Sequence, residues 1–440
     1  MNKKAKKVAR GRFAFLLVAL VATSCCAFGE IESVAKTAGP LTLEDCILTA
    51  LARNPQLMAS EQDVVSADAA LTRARSPYYP QLTLGLVEAI GSDPVSDDTE
   101  TTEEASLALR QTIWQSGLRE TVGESVARFK SAEFVYTADE QALVEQVTVD
   151  YYGVLAADQL VGVAEAGVES SRQHLEEVQA RIEVGVSAEV DESTAQDDLA
   201  RAELSLIDAR SLVRIARAQL KTTMGLPQQT TLELARAQAV VADEFPTLGE
   251  ALAIAEQNRP DLLSARAAVD ASRSALRQAE IRGGPLTDIS GQYDCGYSDW
   301  EHRDPSWDLT LTLSWPLFDG YAKQADIISS RASLVRSEAQ FQAALDQVGF
   351  EVESALAELE RARQRVIATA RSVAAAEARL RAAQGKYQQG VGILLEVTDA
   401  RAALTDALAE QVGAEYDYRT ALVGLQRILG TLSPPEASVE

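Results

Sequence analysis

The chain has 440 residues, 46% hydrophobic and 24% charged, which is globular arithmetic and excludes collagenous or low-complexity sequence. Against 65 Asp and Glu there are 41 Lys and Arg, a formal net charge of -24, which excludes a nucleic-acid-binding face because phosphates need cations. Two histidines and four cysteines rule out most His/Cys metal sites and any disulfide scaffold, and no cofactor is expected.

Residues 1–27 read as an export signal. Lys3, Lys4, Lys6, Lys7, Arg10 and Arg12 form a basic segment, Phe13 to Ala22 is apolar, and small residues follow. The run Ala22-Thr23-Ser24-Cys25 is similar to a bacterial lipobox, which makes Cys25 the candidate for lipidation. Ala22 departs from that pattern, where a larger aliphatic is usual, and cleavage after Ala27 is the alternative. Removing the six basic residues leaves a net charge of about -30. Beyond this leader, no apolar run is long enough for a membrane helix.

The remainder is one module written twice. Shifted by 205 residues, Leu43 falls on Leu248, Pro55 on Pro260, Pro80 on Pro285, Gly185 on Gly390 and Gly225 on Gly430. Two copies, 43–227 and 248–432, joined by a polar connector at 228–247, predict one fold used twice about a pseudo-symmetry axis.

Each copy opens with a helix, about Leu43–Arg75 and Leu248–Arg282, with Thr42 and Thr247 as N-caps. Strand-like alternation follows. Leu82, Leu84 and Leu86 share one face of Gln81–Leu86, and Leu309, Leu311, Leu313 and Trp315 share one face of Asp308–Trp315. Ser106–Leu109 and Ile289–Tyr293 are weaker versions. The tips between paired strands, from Ser92 to Glu104 and from Ser298 to Pro305, are polar and acidic. Long helices come next, about Gly117–Val184 and Tyr321–Gln389. Proline is absent there, and Val147, Val154, Val161, Val168, Leu175 and Ile182 recur every seven residues. Val352, Leu359, Val366, Val373, Leu380 and Tyr387 repeat the series 205 residues on. Glycine turns at Gly185 and Gly390 lead into return helices, about Glu192–Met224 and Val397–Leu429.

All four tryptophans, Trp114, Trp300, Trp307 and Trp315, fall in or beside the strands, with Phe318 close by. Aromatics flanking an apolar band are what membrane interfaces select, and period-two alternation is the signature of an outer-membrane barrel strand. Four strands cannot close a barrel, and lipid does not tolerate an open edge, so chains must pool their strands. Two chains would give eight strands with a filled interior, so a conducting function favours three. The heptads alone do not exclude the alternative, a non-conducting coiled-coil structural protein of the periplasm or envelope. An enzyme would need a nucleophile–base or metal constellation, and the isolated His174 and His302 provide neither.

Two phrases carry a resemblance. Trp315-Pro-Leu-Phe-Asp-Gly-Tyr321, with the diverged Gln111-Thr-Ile-Trp-Gln-Ser-Gly117, stands before each long helix. Tyr387-Gln-Gln-Gly390 followed by Leu395-Glu-Val-Thr-Asp-Ala400 stands at the far turn. With the duplicated helix–hairpin–helix–turn–helix order, these resemble the TolC-like outer-membrane efflux family over about 43–432. The resemblance implies a mainly α fold with β: duplicated long-helix hairpins forming a trimeric periplasmic α-barrel, continuous with a 12-stranded transmembrane β-barrel. It implies an outer-membrane location extending into the periplasm. It also implies a homotrimer working with a periplasmic adaptor and an inner-membrane pump or ABC transporter, in drug, metal-ion or protein export and without covalent chemistry.

The resemblance also assigns residues. Glu396 and Asp399, one helix face at i,i+3, match the acidic ring of the periplasmic gate. Asp191 and Tyr387 match latch positions between hairpins. Gly185, Val186, Ser187, Gly390, Val391 and Gly392 match the adaptor-docking tips. Gly392 departs from the pattern, because an arginine two residues after the turn glycine supplies the latch salt bridge in the family member whose latch is best known.

Overall fold

The computed structural model describes residues 39–92, 99–184, 188–235, 245–298, 301–389 and 391–435. The leader with Cys25 lies outside the described residues, as do Gly185, Val186, Ser187, Gly390 and Trp300.

Copy one opens with α1 (Leu43–Arg53). Thr42 and Asp45 cap it reciprocally: the Thr42 hydroxyl accepts the Asp45 N–H at 3.2 Å, and the Asp45 carboxylate accepts the Thr42 N–H at 2.9 Å. The single opening helix expected over Leu43–Arg75 is broken, and α2 (Pro55–Arg75) starts afresh. Pro55 has no N–H to continue the ladder, and the residue before proline avoids helical ψ. Asn54 is accordingly extended (ψ 120°), and its side chain caps α2 by accepting the N–H groups of Gln56 and Leu57 at 2.8 and 3.1 Å.

Strands β1 (Gln81–Ser92) and β2 (Thr99–Gln115) follow, then α3 (Leu118–Glu183) and α4 (Glu189–Thr223). Copy two repeats the order as α5 (Leu248–Asn258), α6 (Pro260–Ile281), β3 (Leu286–Ser298), β4 (Glu301–Ser314), α7 (Ala322–Gln388) and α8 (Leu394–Ile428). The expected helix over Leu248–Arg282 breaks at Arg259-Pro260 for the same reason as its counterpart. At 66 and 67 residues, α3 and α7 are each roughly 100 Å long. The strands extend beyond the alternating segments. The second acidic tip is shorter than Ser298–Pro305, because Glu301–Pro305 continue β4, with a register shift opposite Asp294 and Gly296. Pro305 sits at that irregularity, where a missing N–H is tolerated.

The seven-residue series forms the seam within each hairpin. Val147 and Val154 of α3 are fully buried in one core with Leu220 of α4 and with Met224, which caps α4's end. Val352 and Leu359 of α7 pack with Leu425 of α8 and with Leu429 just beyond it. Burying each such side chain stabilises the hairpin by about 1.5–3 kcal/mol. A third cluster lies toward the far turns: Val178, Ala195, Ala383, Tyr387, Leu394, Val397 and Ala400.

The two copies are not equivalent in their packing. Helix α6 lies against both α7 and α3, whereas α2 packs on α3, with no comparable contact to α7. The α3–α6 contact is made by small residues. Ser131 and Ser264 share a 2.8 Å hydrogen bond, and Gln278 donates to Thr121 at 2.8 Å. A Cβ on Gly123 would lie 3.9 Å from that of Ser274.

Candidate functional site

The four strands form one antiparallel sheet in the order β1-β2-β3-β4, so β1 and β4 each leave an edge unpaired within the chain. Register places Leu84, Leu107, Tyr293 and Trp307 in one row across the sheet, and Leu82, Leu109, Gly291 and Leu309 in the next. All the large apolar members of these rows are exposed, Leu84 at 64% and Trp307 at 76%. The other face is polar. Arg110, Ser290 and Thr310 form one row, with Asp288 beside them. Asp288 accepts from Arg110 Nη2 at 3.2 Å and from the Thr112 hydroxyl at 2.9 Å. One face therefore offers an apolar band to lipid, and the opposite face can line water.

Among the predicted interface aromatics, Trp114 sits in β2 at a register shift, and Trp307 lies in β4. Trp315 and Phe318 follow the end of β4, and all four are exposed. The Phe318 ring meets Tyr321 edge-on at 5.7 Å.

At the far turns, Leu394, Val397 and Ala400 bury one stripe of α8. Glu396 and Asp399 fall between these positions and are exposed, on the first turns of the helix. Carboxylates there also complement the positive end of the helix dipole. Asp191, three residues into α4's cap, accepts the Ala188 N–H at 3.3 Å. The Tyr387 hydroxyl is buried without a hydrogen-bond partner among the described residues. Val391 is 76% exposed. The N–H groups of Val391 and Gly392 both donate to the Lys386 carbonyl at 3.1 Å, which closes α7. A Cβ on Gly392 would stand 2.9 Å from Lys386 Cβ and 3.0 Å from the Tyr387 nitrogen. A side chain at 392 would therefore force the last turn of α7 to shift.

The structure gathers residues around Tyr387 that sequence reasoning left out. The Arg181 guanidinium stacks 4.3 Å above its ring, and Arg181 pairs with Glu177 at 3.0 Å. His174 meets the ring edge at 6.2 Å. Thr398 donates to Asp198 at 2.9 Å, and Asp198 and Glu177 act on the half-buried Arg401. Burial lowers the Arg401 pKa, and the two carboxylates oppose that shift. One signal was available: His174 lies four residues before the buried Val178, on the packed stripe of α3. Among the described residues, no group of three or more His, Cys, Asp and Glu could hold a metal ion, and no helix is long and apolar enough to cross a membrane.

Known proteins share this architecture. The TolC outer membrane protein of Escherichia coli is 25% identical over 400 residues, covering 86% of this chain and 80% of its own. Protein CyaE of Bordetella pertussis is 28% identical over 400 residues, covering 89% and 84%. The crystal structure of the Campylobacter jejuni CmeC outer membrane channel superposes with a TM-score of 0.78 at 16% identity, covering 88% and 85%. The outer membrane efflux protein family matches residues 46–226 and 251–431, an offset of 205. With both halves matched over most of its length, the chain belongs to the outer membrane efflux protein family, as an outer-membrane channel protein that extends into the periplasm and is not an enzyme.

Proposed function

We propose that three copies of this chain close into a passive export duct through the outer membrane and the periplasm. The observation that carries this reading is the unequal packing of the two copies. Helix α6 fills the groove between α3 and α7, while its pseudo-equivalent α2 has only the α3 half of that groove. A neighbouring chain's α7 supplies the other half. The same step pairs β4 of one chain with β1 of the next, and three chains make a twelve-stranded barrel whose exposed leucines and tryptophans face lipid.

In that assembly Glu396 and Asp399 form an acidic ring at the periplasmic mouth, which repels anions and favours cations. Asp191 and Tyr387 flank it as latch positions. Val391 and Gly392, with Gly185, Val186, Ser187 and Gly390, form the tips on which a periplasmic adaptor docks. An inner-membrane pump or ABC transporter supplies the energy, in tripartite efflux or type I secretion. Reconstitution in planar bilayers tests the duct. The expected result is cation-preferring conductance steps. No conductance, even with Glu396→Gln and Asp399→Asn combined, would contradict the reading and favour a structural coiled coil.

A further inference from the structure

Near the far turns, the packing seals polar groups away from any partner. His174 of α3 is 2% exposed, and neither ring nitrogen has a hydrogen-bond partner. The Tyr387 hydroxyl of α7 and Nε of Arg401 on α8 are likewise buried and unpartnered. The titratable groups around the imidazole come from four helices, α7 contributing the uncharged Tyr387. Helix α3 contributes Glu177 and Arg181, α8 contributes Arg401, and α4 contributes Asp198 behind Arg401. Glu177 already pairs with Arg181, and Asp198 accepts from Thr398. An imidazolium here would have two N–H donors, no acceptor within hydrogen-bond reach and two guanidinium neighbours.

We propose that proton uptake by His174 releases the α3–α7–α8 packing at the hairpin ends, so that the closed tip is acid-labile. The charged ring gains solvation only if α7 and α8 part from α3. Burial is the first cause of the imidazole's low pKa and Arg401 the second, and Glu177 opposes them. Together they push it down to about 4, from an ordinary 6.5. The splayed state restores the ordinary value and so binds the proton more readily. The neutral ring's contribution to closure is therefore complete above pH 6.5 and is lost as pH falls toward 4. At pH 5 the difference corresponds to about a thirtyfold shift in the open-to-closed ratio per chain. Position 379, the counterpart in copy two, is arginine, so only the α3 side carries the device. The consequence for conduction rests on the export-duct reading, but the local unpacking does not.

Hydrogen exchange of the full chain in detergent, corrected for intrinsic rates and read at pH 7.5 and pH 5, tests this. In the wild-type protein, protection of segments 170–182 and 376–388 should fall by up to about thirtyfold at pH 5 while the strands stay unchanged. His174→Phe and His174→Gln should each hold the same protection at both pH values. Equal wild-type protection at the two pH values, or the same acid loss in the variants, would overturn the proposal. Histidine-dependent loss of protection in a protein without bilayer conductance at any pH would support it and count against the export duct instead.

Discussion

Gly225 and Gly430, 205 residues apart, end the two return helices in the same left-handed conformation, with φ of 67° and 69°, and each abuts the proline break of its copy's opening helix. A Cβ on Gly225 would lie 2.5 Å from the Arg53 carbonyl oxygen, and one on Gly430 would lie 2.7 Å from that of Asn258. The break and the glycine are two halves of one joint, used twice.

Gly225→Ala should therefore destabilise the protein by at least about 2 kcal/mol, from left-handed strain plus a clash with backbone that cannot yield. Gly153→Ala, at an exposed position of α3 with nothing within 4 Å of the added carbon, should be neutral or stabilise by up to about 1 kcal/mol. Thermal unfolding followed by helical circular dichroism separates the two. Equal midpoints for both variants would show that the joint has no special role.

Introducing arginine at position 392 should loosen the far turn instead of restoring a latch. Any Cβ there meets Lys386 and the Tyr387 backbone, so Gly392→Arg must distort the last turn of α7 before its guanidinium can reach a carboxylate. Single-channel recording should show a higher open fraction than wild type. A lower one would mean that the turn adapts and the latch forms.

Neutralising the mouth should change selectivity more than stability. Glu396 and Asp399 are exposed and neither enters an ion pair within the described residues, so Glu396→Gln with Asp399→Asn leaves packing intact. Reversal potentials in a salt gradient should show the cation preference falling several-fold, with an unchanged melting curve. An unchanged reversal potential would remove these two carboxylates from the conducting path.

Much of this was legible in one sequence because the signals are local and appear twice. The 205-residue offset, the seven-residue series ending in Tyr387 and the alternation around Leu311 each report backbone periodicity directly. The proline breaks were legible in principle, since Asn54-Pro55 and Arg259-Pro260 carry the restriction themselves. The strand limits were not. Thr99–Glu104 and Glu301–Pro305 read as polar tip because they carry no apolar alternation, yet Thr99–Glu104 pair with Val87–Ser92 and Glu301–Arg303 pair with Gly296–Ser298 of their own hairpins. The surroundings of His174 were hidden for a stronger reason. Its burial depends on Tyr387 and Arg401, more than 200 residues away, and no spacing rule links them.

In the proposed three-chain duct, the pseudo-symmetry also predicts where one chain meets the next. The close approach of Gly123 to Ser274 within the chain, shifted by 205 residues, would become Ile328 of one chain against Ala69 of its neighbour, and both are exposed in the single chain. A Cβ separation near 3.9 Å suits a disulfide. Oxidation of the Ala69→Cys, Ile328→Cys double variant in outer-membrane extracts, read on non-reducing gels, should give a covalent ladder that ends at three chains, while each single variant gives none. A double variant that stays monomeric under oxidation, or that crosslinks only within one chain, would contradict the closed three-chain duct.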